Sequence, residues 1–225
     1  MKKSPHYISK IQYITQSKTE YSILEEVEQV LQAGIDWIQL RVKNENIDFL
    51  SVARKVKTLT KKYNATLIIN DNIEIVQKVN AQGVHLGLTD TPIIEARTIL
   101  GQHKIIGGTA NTLADAKNVE LFGANYIGLG PFRDTKTKQN LSPILGLKGY
   151  QNIIPKIKPY GWNILSFNIP IIAIGGLRIE DINQLVNQTG IYGVALSSLI
   201  YNASNKSEIV TILKQMLSEN QKINE

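Results

Sequence analysis

Arg41 and Lys43 stand two residues apart in the run Gln39-Leu40-Arg41-Val42-Lys43. In an extended chain that spacing puts Gln39, Arg41 and Lys43 on one side. Two cations on an inward face are costly to desolvate unless an anion meets them. A bound polyanion would remove that cost; so would a strand end from which both stems snorkel to water. Asp71 and Asp90 lie 19 residues apart, each just beyond an apolar run. Two carboxylates from neighbouring strand exits can share a Mg²⁺, which takes oxygen ligands and commonly keeps one or two carboxylates plus substrate phosphates. Asp71, with Glu74 three residues on, also has the spacing of a helix N-cap; Thr91 before Pro92 relieves Asp90 of that duty. Thr135-Lys136-Thr137-Lys138 follows Gly128-Leu129-Gly130-Pro131 and offers hydroxyls, cations and flexible backbone, suited to phosphate or to an ordinary surface loop. Gly175-Gly176 and Ser197-Ser198 suit a phosphate cup made of backbone amides, or tight turns. Thr109 adds a hydroxyl after Gly107-Gly108, and His85 reads as a satisfied structural histidine. No nucleophile–base pair and no histidine cluster stands out. The set suits a site that holds phosphates and one hard metal ion.

These residues share a place in the chain pattern: each follows a short apolar run. The runs are Tyr13–Thr15, Trp37–Leu40, Thr66–Ile69, Gly83–Leu86, Ile105–Gly107, Tyr126–Leu129, Ile171–Ile174 and Tyr192–Ala195. Between them apolar residues recur at three- and four-residue steps, as in Ile23, Leu24, Val27, Val30 and Leu31, and again over Phe49–Leu59, Ile73–Val79, Ile93–Leu100 and Leu113–Leu121. Thr112 with Asp115 has capping-box spacing, and Gly34 closes the first helix. Strands apolar on both faces and alternating with helices imply a parallel sheet. Eight such units predict a single-domain α/β fold over 1–225, a (β/α)8 TIM barrel whose active site lies at the C-terminal strand ends; an open doubly wound sheet is the other arrangement that this periodicity allows. Trp37, Tyr126 and Phe122 read as core. Pro131–Asn168, with Gly146, Gly149, Pro155, Pro159, Gly161 and Trp162, reads as irregular and as a candidate lid. A last helix is expected over Lys206–Leu217, with a frayed 218–225 tail.

Composition narrows the classes. The chain contains no cysteine, which removes disulfide frameworks, thiolate metal sites and a cysteine nucleophile. The net charge of +6 suits anionic small molecules. Its lysines interleave with apolar positions instead of forming a basic stripe, so no nucleic-acid partner is expected. No apolar run approaches the roughly 18 residues of a membrane span, and the basic start Met1–His6 has no apolar segment after it, so neither membrane nor signal peptide is expected. A cytoplasmic enzyme is the expectation, and the sequence allows a homo-oligomer.

Together the segments Gln39–Lys43, Leu67–Asp71, Gly83–Gly87, Asp90, Gly123–Pro131, Thr135–Lys138, Ala173–Gly176 and Gly193–Ala195 resemble the thiamine-phosphate synthase (thiamine-phosphate pyrophosphorylase) family, in the family's order and over about Tyr13–Ile200. The resemblance implies a (β/α)8 barrel. It also implies a transferase that joins 4-amino-2-methyl-5-hydroxymethylpyrimidine diphosphate to 4-methyl-5-(2-phosphooxyethyl)thiazole, giving thiamine phosphate and pyrophosphate by dissociative loss of diphosphate. By resemblance Gln39, Arg41, Lys43, Asn70, Thr109 and Lys138 hold the pyrimidine diphosphate. Arg41, Lys43 and Lys138 are implied as the catalytic groups, and Asp71 and Asp90 as the Mg²⁺ ligands. Thr135, Thr137, Gly176, Ser197 and Ser198 are implied for the thiazole phosphate. The chain departs from the pattern at Leu88, where glutamine is usual, at Thr109, where serine is usual, and in a longer Tyr150–Asn168 stretch. A thiazole tautomerase-like relative and a non-catalytic phosphate-binding barrel are the other functions weighed; the first tends to lack the diphosphate and metal residues, and the second needs no carboxylate pair.

Overall fold

A computed structural model describes residues 7–16, 19–134, 142–157 and 169–218. Eight parallel strands close a barrel: β1 (Ile11–Ile14), β2 (Trp37–Leu40), β3 (Thr66–Asn70), β4 (Gly83–Leu86), β5 (Ile105–Ala110), β6 (Tyr126–Leu129), β7 (Ile171–Ile174) and β8 (Gly193–Leu196). Closure is made by β1 against β8, with Ile11 opposite Val194 and Tyr13 opposite Leu196, so the open-sheet alternative is excluded. Helices α1 (Glu20–Gln32), α2 (Phe49–Lys62), α3 (Ile73–Val79), α4 (Ile93–Leu100), α5 (Leu113–Leu121), α6 (Gly146–Ile157) and α7 (Ile179–Thr189) follow β1 to β7 in turn. The short α8 (Ser198–Tyr201) and then α9 (Lys206–Ser218) follow β8. Among the described residues no helix is long and apolar enough to cross a membrane.

Strand alternation divides the core in two. Ile38, Leu40, Leu67, Ile69, Val84, Ile127, Leu129 and Val194 face outward and bury against the helices. Their neighbours Trp37, Ile68, Ile105, Tyr126, Ile172 and Ala195 fill the barrel interior. The same parity points Gln12, Gln39, His85 and Thr109 inward. The polar residues of these runs therefore collect in the barrel, with the apolar interior beneath them.

Local chemistry sets the helix starts. Thr19 caps α1 and Thr112 caps α5, each in a capping box, as the Thr112–Asp115 spacing predicts. At α3 the cap is Asn72, whose side chain accepts from the Ile75 N–H at 2.9 Å, so Asp71 is not the cap. At α4 the expected Thr91 cap is not formed; Pro92 occupies the N-cap position with no side-chain cap bond.

Two further expectations are corrected. Within the stretch expected to be irregular, Gly146–Ile157 is helical. Gly146, Gly149 and Pro155 weaken its intrinsic propensity, but Tyr150, Ile153, Ile154 and Ile157 bury one stripe, and tertiary packing prevails. The Tyr150 hydroxyl also donates to the Leu129 carbonyl, tying α6 to β6. Phe122, expected in the core, is 41% exposed at the C-cap of α5, because that short helix buries only Ala116 and Val119. Trp162, residues 135–141 and 158–168 of the proposed lid, and nearly all of the tail lie outside the described residues.

Candidate active site

A cavity of about 490 Å³ opens at the C-terminal ends of the strands. Gln39, Arg41, Lys43, Asn70, Asp71, Asp90, Thr109, Gly176, Ser197 and Ser198, all singled out from the sequence, line it. Thr135, Thr137 and Lys138 lie outside the described residues; Pro131 and Ser142, on either side of that segment, both line the cavity.

The β2 exit supplies the cations. Gln39 is the last inward residue of β2 and is 2% exposed, its amide donating to the Gln12 carbonyl oxygen at 2.9 Å, so it belongs to the cavity floor. Arg41 is held by its backbone: its N–H donates to the Thr15 hydroxyl at 2.8 Å, and that hydroxyl donates back to the Arg41 carbonyl at 3.0 Å. Burial lowers the Arg41 guanidinium from its ordinary value, and the Asp71 charge opposes that shift. Lys43 is more open, with Nζ 3.7 Å from Asp71 Oδ2.

The β3 and β4 exits supply the carboxylates. Asp71 adopts a left-handed backbone with φ 64°, and its N–H donates to the His85 carbonyl at 2.9 Å. Because Asn72 does the capping, the Asp71 carboxyl is left to the cavity. Burial, and the Asp90 carboxylate that shares a hydrogen bond with it, push the Asp71 carboxyl up to about 6, against the opposing pull of Lys43 and Arg41. Asp90 is fixed by a tight turn: its Oδ2 accepts from the Gly87 N–H at 2.6 Å. Leu88, in that turn, is 52% exposed on the cavity wall. Two converging carboxylates, one of them disfavoured as an anion, make a donor set that a small divalent cation would relieve. Among the described residues no group of three or more His, Cys, Asp or Glu side chains could hold a metal. The pair therefore suits Mg²⁺ completed by ligand oxygens, not an all-protein cage.

On the opposite side, Gly175 and Gly176 take φ of 95° and 64°, a turn that side chains resist. A Cβ on Gly175 would stand 2.7 Å from Pro131 Cβ, and one on Gly176 would stand 2.5 Å from the Asp134 carbonyl oxygen. The turn is thus packed against the loop after β6. The same loop is clamped by Arg133, whose Nε and Nη2 donate to the two Asp181 oxygens at 2.8 and 2.6 Å. Ser197, which lines the cavity beside Ser198, donates its hydroxyl to Gln16 Oε1 at 3.2 Å.

His85 is 5% exposed, as a satisfied histidine should be, yet it also lines the cavity. Its ring nitrogens contact the Tyr126 hydroxyl and Thr109 Oγ1, each at 3.0 Å. Sequence reasoning missed the buried partners Gln12 and Tyr126. The available signal was the inward parity of Gln12 and Gln39 within otherwise apolar strands.

Known proteins share this fold. The family model described as thiamine monophosphate synthase matches residues 11–200. A thiamine-phosphate synthase of Flavobacterium johnsoniae is 48% identical over 213 residues, covering 94% of this chain and 98% of that one. One of Methanobrevibacter smithii is 37% identical, covering 91% and 93%. The solved thiamine phosphate pyrophosphorylase of Pyrococcus furiosus superimposes with a TM-score of 0.76 at 28% identity, covering 94% of this chain and 96% of that one. A 3-hexulose-6-phosphate synthase structure, at 18% identity and a TM-score of 0.69, shares the fold.

Proposed function

We propose that this chain, which belongs to the thiamine monophosphate synthase family and is an enzyme, a transferase with thiamine-phosphate synthase function, couples 4-amino-2-methyl-5-hydroxymethylpyrimidine diphosphate to 4-methyl-5-(2-phosphooxyethyl)thiazole with the help of Mg²⁺. The observation that carries the proposal is the convergence of Arg41, Lys43, Asp71 and Asp90 on one cavity, beside Asn70 and Thr109.

In the proposed reaction the bond between the pyrimidine methylene carbon and the diphosphate oxygen breaks, and its electron pair leaves with the diphosphate. The thiazole nitrogen then gives its lone pair to that carbon. No proton has to move, so the step asks for no nucleophile–base pair. Arg41, Lys43 and Lys138 bind the diphosphate and stabilise the charge it gains on leaving, the kind of electrostatic help that typically carries most of such a step. Asp71 and Asp90 would hold Mg²⁺, which when bound neutralises diphosphate charge. Asn70 orients the pyrimidine diphosphate. Gly176, Ser197 and Ser198 hold the thiazole phosphate on the far side of the cavity, so that the acceptor nitrogen waits in line; Thr135 and Thr137 are assigned to the same phosphate by the family resemblance. The barrel walls keep water from the reacting carbon.

A non-catalytic phosphate-binding barrel would have no use for a carboxylate pair in which Asp71 is disfavoured as an anion. The deciding experiment incubates the chain with both substrates and Mg²⁺ and looks for thiamine phosphate by chromatography. Product that disappears with a chelator and returns with Mg²⁺ is the expected result. No product, or product indifferent to the chelator, would sink the reaction or the metal respectively.

A further inference from the structure

We propose that Tyr126 is a positioning residue: acting through His85, it turns the proton of the Thr109 hydroxyl toward the cavity, to be donated to an oxygen of a bound diphosphate. The identity of the ligand rests on the function proposed above; the orienting device rests on separate geometry inside the barrel.

A file of polar side chains runs from the barrel interior to the cavity. Gln39 Nε2 donates to Gln12 Oε1 at 2.9 Å, and Gln12 Nε2 donates to the Tyr126 hydroxyl at 3.2 Å. His85 Nδ1 lies 3.0 Å from that hydroxyl, and His85 Nε2 lies 3.0 Å from Thr109 Oγ1. Gln12, Gln39, Tyr126 and His85 are all at most 5% exposed, so water does not complete the file. Each link then constrains the next. An amide nitrogen can only donate, so the Tyr126 oxygen accepts from Gln12 and its single proton goes to His85 Nδ1. A neutral imidazole that accepts at Nδ1 carries its proton on Nε2. Nε2–H donates to Thr109 Oγ1, and the threonine proton is left for another acceptor. Thr109 is half-buried and lines the cavity, so that direction is the cavity itself.

The barrel makes room for this file at a cost in ordinary packing. A Cβ on Gly107 would stand 2.0 Å from Tyr126 Cζ, and one on Gly128 would stand 2.9 Å from His85 Cε1. Two inward positions on adjacent strands therefore lack a side chain where the two rings sit. The rings stack at 5.5 Å and 25°, and Trp37 braces Tyr126 edge-on at 5.0 Å. If both amides were turned over, every link would reverse: Thr109 would spend its proton on Nε2 and present only lone pairs to an anion. A cavity with Arg41 and Lys43 on its wall calls for the first polarity.

The test reads the tautomer directly. Long-range proton–nitrogen NMR of the ¹⁵N-histidine-labelled full chain resolves its three histidines, His6, His85 and His103, and assignment uses His85→Gln. The expected result is an Nε2–H tautomer for His85 in the ligand-free wild type, and a redistribution between tautomers in Tyr126→Phe. Should that variant not fold, Gln12→Leu removes the upstream donor and is read in the same way. Binding of inorganic pyrophosphate with Mg²⁺ should weaken about five- to tenfold in Tyr126→Phe and in Thr109→Val, the size expected for one oriented hydrogen bond to an anion. The double variant should lose no more than either alone, since the two act in series. An Nδ1–H tautomer, one unmoved by the substitutions, or additive losses would overturn the proposal, whether or not the wild type makes thiamine phosphate. A chain that makes no product yet shows the tautomer and the series behaviour would overturn the reaction and leave the relay standing.

Discussion

Replacing Asp71 by asparagine should make the metal-free chain more stable while abolishing coupling. The backbone tolerates the change, because φ at this position is 64° and asparagine is among the few residues that accept the left-handed region. The charge is what changes. Asp71 is pushed from an ordinary 3.8 to about 6 by burial and by Asp90. The folded chain therefore holds a proton there that the unfolded chain has released across that window, and stability falls as pH rises through it. Above about pH 6 the full cost is present, and below about pH 4 it is gone. Two units correspond to about 3 kcal/mol for a fully shielded group. The Asp71 side chain is 39% exposed, so solvent screening reduces this, and about 1 kcal/mol is the expected gain. For a chain of this size that is a rise in Tm of roughly 2–4 °C. The assay is urea unfolding followed by circular dichroism, in chelator, at about pH 8 and about pH 4. Asp71→Asn should exceed the wild type at the higher pH and match it at the lower. Saturating Mg²⁺ should reverse the order, since about a hundredfold excess over Kd stabilises the binding-competent chain by about 2.7 kcal/mol. A variant no more stable than the wild type at high pH, or one whose advantage is the same at both, would refute the claim that Asp71 is held as a disfavoured anion.

Other substitutions test neighbouring claims. Arg41→Met should lower kcat about a hundredfold with the circular dichroism spectrum unchanged, as for the loss of one group that stabilises developing charge; a loss under about threefold would remove Arg41 from the diphosphate site. Gly107→Ala should cost about 1–3 kcal/mol in urea unfolding, because its new Cβ would start 2.0 Å from Tyr126 Cζ; a variant as stable as the wild type would mean the ring is seated elsewhere. Arg133→Ala should destabilise the chain at neutral pH, because the buried Asp181 carboxylate then keeps only the Arg178 N–H in place of two charge-assisted bonds. Burial raises the Asp181 carboxyl, but the hydrogen bonds and charge of Arg133 and the Arg178 N–H outweigh it and hold the group below the usual carboxylate range. This contribution is thus present above the unfolded-state value and is lost as pH falls through the folded one. The difference between Arg133→Ala and the wild type should accordingly shrink in acid; a constant difference would assign the loss to packing.

The barrel was legible because its two signals do not compete. Runs such as Leu67–Ile69 and Ile171–Ala173 bury both faces, and the intervening helices keep a single apolar stripe, so the alternation reads directly as parallel strands and cover. Once the strands are placed, the barrel rule selects the residues after each of them, and Arg41, Lys43, Asp71, Asp90 and Thr109 fall on the cavity without further information. Helix α6 was missed for a local reason. Gly146, Gly149 and Pro155 each argue against helix, and it is the flanks of α5 and α7, with the β6 and β7 backbone that Tyr150 bonds, that make its Tyr150–Ile157 stripe worth burying. Asp71 was ambiguous because Asp71 and Asn72 are both capping residue types; the left-handed φ at Asp71 decides between them.

The polar interior was hidden by the same rule that revealed the strands. A run that is apolar on both faces is read without assigning parity, so Gln12 between Ile11 and Tyr13, or His85 between Val84 and Leu86, passes as a tolerated exception. Parity becomes visible only when the barrel closes. Asn70 then lies opposite His85, His85 opposite Gly107, Gly107 opposite Tyr126, and Thr109 opposite Gly128. From β4 round to β6, polar or ring-bearing positions alternate with positions that have no side chain. A core selected only for stability would fill Gly107 and Gly128 with apolar volume, since interiors are close-packed and buried polar groups add little net stability even when fully paired. Keeping both glycines empty makes sense only if the His85–Tyr126 pair is worth more to the cavity above it than a plain apolar layer would be to the fold below.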